Sequence, residues 1–211
     1  MAITKENVEE VPLVCFSLHF IPLRIHPSDC LCSGELSSLY TTGAKHFSQY
    51  VKDIFNPQGD GNCGFRCIAH VRGYADNMEF MQVWEEMARE IMTWNVGCEK
   101  WLDKMLHGQI LANTYNRPIV FLSQADSNCF LPLRLGPKDS TRVEPIYLLY
   151  VDSNHWVLVE VGGKDGEKPL PPPIRAPKFA TKAAKAWPTY LQKGLALYNQ
   201  SLVSRSDGGK D

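Results

Sequence analysis

Gly59-Asp60-Gly61-Asn62-Cys63-Gly64-Phe65-Arg66 is the stretch on which the reading of this chain turns. Asp60-Gly61-Asn62 is polar and turn-forming. From Cys63 to Val71 the turn chemistry gives way to a run that reads as helix, closed near Gly73. A cysteine therefore stands where a glycine-rich loop meets a helix N-terminus, and there unpaired backbone N–H groups and the helix dipole favour negative charge. With an imidazole beside it, such a thiol can fall from a pKa of about 8.5 into the range of roughly 3.5 to 7.5. The same N–H groups suit the oxyanion that forms when a thiolate attacks a carbonyl, and the glycines let a substrate backbone approach.

A thiol nucleophile needs a base, and the chain offers six histidines. His155 is the one chosen, because Asp152-Ser153-Asn154 is a turn and His155 opens the apolar strand that runs to Val161. A strand start beside a loop holds an imidazole rigidly and leaves it reachable. His70 is expected to support its helix, and His107 reads as a helix C-terminal residue. His19, His26 and His46 have no chemical neighbours in the sequence.

Phe47, Tyr50, Val51 and Ile54 recur at helical spacing and predict a short helix that ends before Pro57. Asp76 with Glu79 resembles a capping box, and Phe80, Trp84, Met87, Ile91 and Trp94 then form one face of a long helix. A further helix is expected from Glu99 to His107, with Gly108 as its stop. Beyond it the period changes. Pro118–Leu122, Cys129–Leu133, Ile146–Val151 and His155–Val161 are short apolar runs separated by turn residues, hence strands. Helices first and strands later imply an α+β domain, a sheet covered by helices.

The composition fits a globular domain: 211 residues, 44% hydrophobic, 10% aromatic, 21% charged. The formal charge of −1 provides no global field for nucleic acid or anionic lipid. It is also a sum of opposites. From Lys164 to Asp211 nine lysines and arginines face four acids, +5, leaving −6 for the rest. That basic tail opens with Pro171-Pro172-Pro173, read as a polyproline spacer that does not pack into a sheet, followed by a docked or nascent helix around Trp187, Tyr190, Leu195 and Tyr198. Residues 1–45 are read as a leader, 46–163 as the catalytic domain and 164–211 as the tail. Within the leader, Val11–Ile25 is broken by Pro12, His19, Pro22 and Arg24 and lacks the pattern of a signal peptide or membrane span. Seven cysteines without framework spacing read as free thiols in a reducing compartment, cytoplasmic or nuclear.

The Gly59–Arg66 motif, together with the late Asn154-His155-Trp156, resembles the ovarian tumour (OTU) domain, a papain-like cysteine protease family that mostly removes ubiquitin. The likeness spans approximately Tyr50 to Val161. Tyr115–Ser123 and Phe130–Leu133 resemble more narrowly the OTU-like domains of plant and fungal mobile-element proteins. The resemblance implies a papain-like fold with a mostly antiparallel sheet, and a thiol protease of the ubiquitin-conjugation pathway whose partners are ubiquitin or ubiquitin-like conjugates. Cys63 becomes nucleophile, His155 general base and then acid, Asp60 the acidic residue, and Gly61, Asn62 and Cys63 the oxyanion loop. No cofactor or metal is implied, and neither membrane nor nucleic acid is expected as a partner.

One position departs from the family. Many members carry Asn or Asp two residues beyond the histidine, where the strand period places it to orient the ring. Here that residue is Val157. The role is assigned to Asp60, which either touches His155 or braces the loop, with Asp152 and Asn154 as other candidates. Val157 also supports the rival reading, a catalytically inactive OTU-like module that binds ubiquitin or another protein. A zinc site on Cys63, Cys67 and His70 is disfavoured, since paired Cys-x-x-Cys knuckles are missing.

Overall fold

The apolar runs of the C-terminal half pair into one sheet whose two faces are both covered. The computed structural model describes residues 45–206, apart from 75–77, 92–100, 139–142, 153, 164–165 and 175–177. The leader thus lies almost wholly outside the described residues, as do Asp76 and Trp94. The strands are β1 (Val51–Phe55), β2 (Ile119–Leu122), β3 (Asn128–Phe130), β4 (Ile146–Val151) and β5 (His155–Val161). They form a mixed five-stranded sheet in the order β1-β5-β4-β2-β3, in which only the β2–β4 pair is parallel.

Helices α1 (Cys63–Arg72), α2 (Glu79–Ile91) and α3 (Lys104–Tyr115) cover one face. Phe65, Ile68, Val83, Met87 and Leu111 meet Phe121, Leu148 and Trp156 of the strands there. The other face carries a second apolar layer of Phe47, Val120, Tyr147, Val157, Val159, Trp187 and Tyr198. With apolar layers on both sides, β2 and β4 lose the alternation of a half-exposed strand and become nearly continuous apolar runs.

Helix α1 begins at Cys63 and is closed by Gly73, whose φ of 72° is left-handed and whose N–H reaches the carbonyls of Ala69 and His70. Three other expectations are corrected. The helix expected around Phe47–Ile54 is a 3-10 helix, Lys45–Tyr50, running straight into β1. Pairing of Ile54 with Val159 and of Phe55 with Leu158 outweighs the local helical spacing.

The helix placed at Glu99–His107 instead starts at Lys104. Asp103 caps it, its carboxylate accepting from the N–H groups of Met105 and Leu106 at 2.8 Å each. Gly108 lies inside α3 rather than ending it. A Cβ there would overlap the Phe130 ring, so the glycine serves close helix–sheet packing. His107 is accordingly in the first turn, fully buried, with Nδ1 accepting the Asp103 N–H at 2.9 Å.

The third correction concerns the proline-rich segment, which packs against the sheet edge. Proline lacks a donor but keeps its acceptor. Pro172 O accepts from Cys129 N at 3.2 Å, and Ile174 N returns to Cys129 O at 2.8 Å, so the edge of β3 is covered. Tyr147 Oη donates to Pro169 O at 3.0 Å beneath it. The chain then forms α4 (Trp187–Tyr190) and α5 (Gln192–Ser206) against the second layer, where Trp187 is fully buried and donates from Nε1 to Leu135 O at 2.7 Å. Among the described residues no helix is long and apolar enough to cross a membrane.

If the tail holds the second layer as packed, Trp187→Ala should cost about 3–5 kcal/mol of unfolding free energy. Urea titration followed by circular dichroism checks this; a change under about 1 kcal/mol would mean that the tail contributes no core.

Candidate active site

Two ends of secondary structure meet at the site. Cys63 is the first residue of α1, and His155 is the first of β5, reached through a tight β4–β5 hairpin in which Asp152 takes a φ of 50°. The backbone N–H of Trp156 donates to Cys63 Sγ at 3.4 Å. The thiol is thereby held against the strand start that carries the imidazole, by a donor 93 residues further along the chain.

His155 is half-buried, and its Nε2 lies 2.8 Å from Asn56 Oδ1. An amide oxygen accepts only, so Nε2 carries the proton and Nδ1 keeps a free lone pair. That is the tautomer a base needs. Asn56 follows β1, and the antiparallel register with Phe55 opposite Leu158 leads the chain after β1 toward the start of β5. Nothing local in the sequence marks this residue: its partner is 99 positions away, and an Asn before Pro57 reads only as the end of the helix expected there. Val157, at the position where the family pattern has a polar residue, is fully buried in the second apolar layer. An amide there would lack partners.

Asp60 does not bond His155 in this arrangement. Arg66, less than two helical turns away, captures its carboxylate through Nη2 at 2.6 Å and Nε at 3.1 Å, while the other oxygen accepts from Asn62 N at 3.0 Å. Of the two roles expected for Asp60, bracing the loop is the one the geometry contains. Arg66 is itself seated over the Phe80 ring, 4.6 Å from its centroid, with Glu79 at 3.9 Å. Because the Asn62 N–H is engaged by Asp60, it is not open to a substrate oxygen. The N–H groups of Cys63 and Gly64 lie in the first turn of α1, where no helical acceptor exists.

The electrostatics differ from the expectation of a lowered thiol. Burial pushes the Cys63 thiol up and the Asp60 charge adds to it; the N–H groups of Trp156, Gly64 and Cys63 oppose this without reversing it. Burial likewise pushes His155 below the ordinary imidazole value, against the upward pull of Asp152 and Asp60. Burial also disfavours the Asp60 carboxylate, but the Arg66 guanidinium and the Asn62 N–H outweigh it and hold Asp60 below the usual carboxylate range. Both shifts run toward the uncharged thiol and imidazole and away from a thiolate–imidazolium pair.

Behind the pair, Cys67 Sγ donates to Trp156 O at 3.6 Å and is fully buried, and burial raises its thiol far above the ordinary range. His70 stacks on Phe55, with ring centroids 3.9 Å apart. Among the described residues no group of three or more His, Cys, Asp or Glu side chains is arranged to hold a metal ion.

No family model matches this chain, and no curated protein matches it. Among solved structures, the Hazara virus OTU bound to ubiquitin is similar at 12% identity with a TM-score of 0.38, over 56% of this chain and 86% of that one.

The pH dependence follows from the directions of the shifts. The thiolate of Cys63 gains population only as pH rises past the ordinary thiol value, so its alkylation by iodoacetamide should keep climbing through pH 9. Intact-mass spectrometry against Cys63→Ala measures it. A plateau between pH 5 and 8 would instead reveal a standing thiolate–imidazolium pair.

Proposed function

We propose that this chain is an OTU-type thiol hydrolase that cleaves ubiquitin or ubiquitin-like (iso)peptide bonds. The observation that carries the reading is the hydrogen bond from Trp156 N to Cys63 Sγ, which joins a helix-terminal thiol to the strand start that bears His155. Asn56 completes the set by holding Nε2. The substrate class comes from the resemblance of the cysteine loop and the Asn154-His155-Trp156 segment to the OTU family.

In this reading Nδ1 of His155 takes the Cys63 proton as the sulfur attacks the carbonyl carbon. The tetrahedral oxyanion accepts from the first-turn N–H groups of α1. It collapses with expulsion of the amine, a lysine ε-amine for an isopeptide, which leaves with the proton from His155. The Cys63 thioester is then hydrolysed by a water that His155 deprotonates, and the free carboxylate departs. Asn56 acts through the ring: it sets the tautomer and keeps Nδ1 aimed, while Asp60 and Arg66 keep the loop in shape.

Ubiquitin bearing a C-terminal electrophile should label wild-type protein at Cys63 and leave Cys63→Ala unmodified. Ubiquitin binding without labelling would replace the hydrolase with the binding-module reading, which the burial of Cys63 (2% exposed) favours.

Asn56→Ala should lower kcat for a fluorogenic ubiquitin substrate on the order of 10²-fold with little change in KM, because a misaligned base costs about that much. Asn56→Asp should recover part of the loss. Unchanged kcat in Asn56→Ala would remove Asn56 from the machinery.

A further inference from the structure

Trp101 is 56% exposed, an unusual place for the largest apolar side chain, yet the backbone beside it is held tightly. The carbonyl of its neighbour Leu102 accepts from Trp156 Nε1 at 2.9 Å. The Leu102 side chain packs so closely on α1 that a Cβ at Gly64 would come within 2.7 Å of Leu102 Cβ. Asp103 then caps α3. The segment that presents the indole is therefore anchored to β5 and to the helix that carries Cys63.

What the indole faces is Gly61. Its Cε2 and Cζ2 lie 3.6 and 3.7 Å from where a Cβ on Gly61 would stand, and Nε1 at 3.9 Å. Gly61 has a φ of 84°, a conformation that only glycine adopts without strain. It lies between Asp60 and Asn62, which are tied to each other and to Arg66 by the Asp60 carboxylate. That tie restrains the flanking residues through side-chain bonds. Gly61 itself has no side chain with which to be held.

Resting on the reading of Cys63 as nucleophile, we propose that Trp101 is a positioning residue for the oxyanion loop, its indole acting as a wall that keeps Gly61 in the left-handed conformation. The loop runs directly into the first turn of α1, whose N–H groups are the oxyanion donors of this reading, so Gly61 has to keep one conformation for those donors to keep their places. A change of conformation at Gly61 would move Cys63 and the first-turn donors that follow it, and only the part of the population that keeps the turn would present them correctly. The outer face of the indole stays open because the wall stands at the surface beside the loop rather than inside the core.

Two measurements on the full chain decide the matter. Amide hydrogen exchange by NMR should show the Gly61 and Asn62 N–H groups exchanging at least about ten-fold faster in Trp101→Ala than in wild type, with Trp101→Phe near wild type, since a flat ring of either kind supplies the wall. With a fluorogenic ubiquitin substrate, Trp101→Ala should lose about ten-fold in kcat with KM unchanged, as expected for partial misplacement of an oxyanion donor. Unaltered exchange at both amides would overturn the proposal, and so would a rise in KM at constant kcat, which would make Trp101 a substrate shelf instead. Should Trp101→Ala not fold, Trp101→Leu takes its place with the same expectations. If wild-type protein turns over no ubiquitin substrate, the hydrolase reading fails, while the exchange measurement still decides the role of Trp101.

Discussion

Every polar group of Trp156 is spent on tying the site together. Its N–H donates to Cys63 Sγ, its carbonyl accepts from Cys67 Sγ, and its indole N–H donates to Leu102 O. The ring packs edge-on against Phe121 and tilted against Tyr150, with centroids 5.2 and 4.7 Å away. One residue thus fixes the distance between helix α1 and strand β5 and anchors the segment leading into α3. Buried hydrogen bonds of this kind are costly to leave unmade, so the three elements are held in one arrangement rather than in several of similar energy.

The same burial that secures this arrangement works against the thiolate. A charged sulfur in a nearly sealed crevice loses hydration, and the donors around it do not make up the loss in the free protein. In the proposed reaction a carbonyl substrate is what changes the balance. In that reaction, attack moves charge from sulfur to oxygen, and the proton goes to an imidazole whose other nitrogen is already held. The polar braces divide their work accordingly. Asn56 holds the imidazole, and Asp60 with Arg66 holds the loop, an arrangement that in the proposed reaction spares both the ring and the turn from reorganising.

Elements whose signals are local were legible from residue order alone. Helix α1 with its glycine cap, the β4–β5 hairpin and the positions of Cys63 and His155 depend on turn chemistry and periodicity over a few residues. Where a local signal competed with a distant partner, the distant partner won. The spacing of Phe47, Tyr50 and Ile54 suits a helix, but an open strand edge on β5 drew Val51–Phe55 into the sheet. Gly108 has the look of a helix stop, but the reason for it is the Phe130 ring opposite. The prolines of the tail prevent donation, not acceptance, and the free edge of β3 supplied the donor.

The sequence by itself determined the candidate thiol, the candidate imidazole and the mixed α+β class, because a thiol at a loop–helix junction and a histidine at a strand start are written in consecutive residues. Only the tertiary structure decided which side chain orients His155, what Asp60 binds, and that the basic tail closes the second face of the sheet. The physical reason is the same in each case. Asn56 meets His155 through strand register, and Asp60 goes to Arg66 because helix α1 brings that guanidinium back over the loop. Trp187 is buried because the sheet has an apolar face left to cover. These are contests between partners that become neighbours only after the chain has folded.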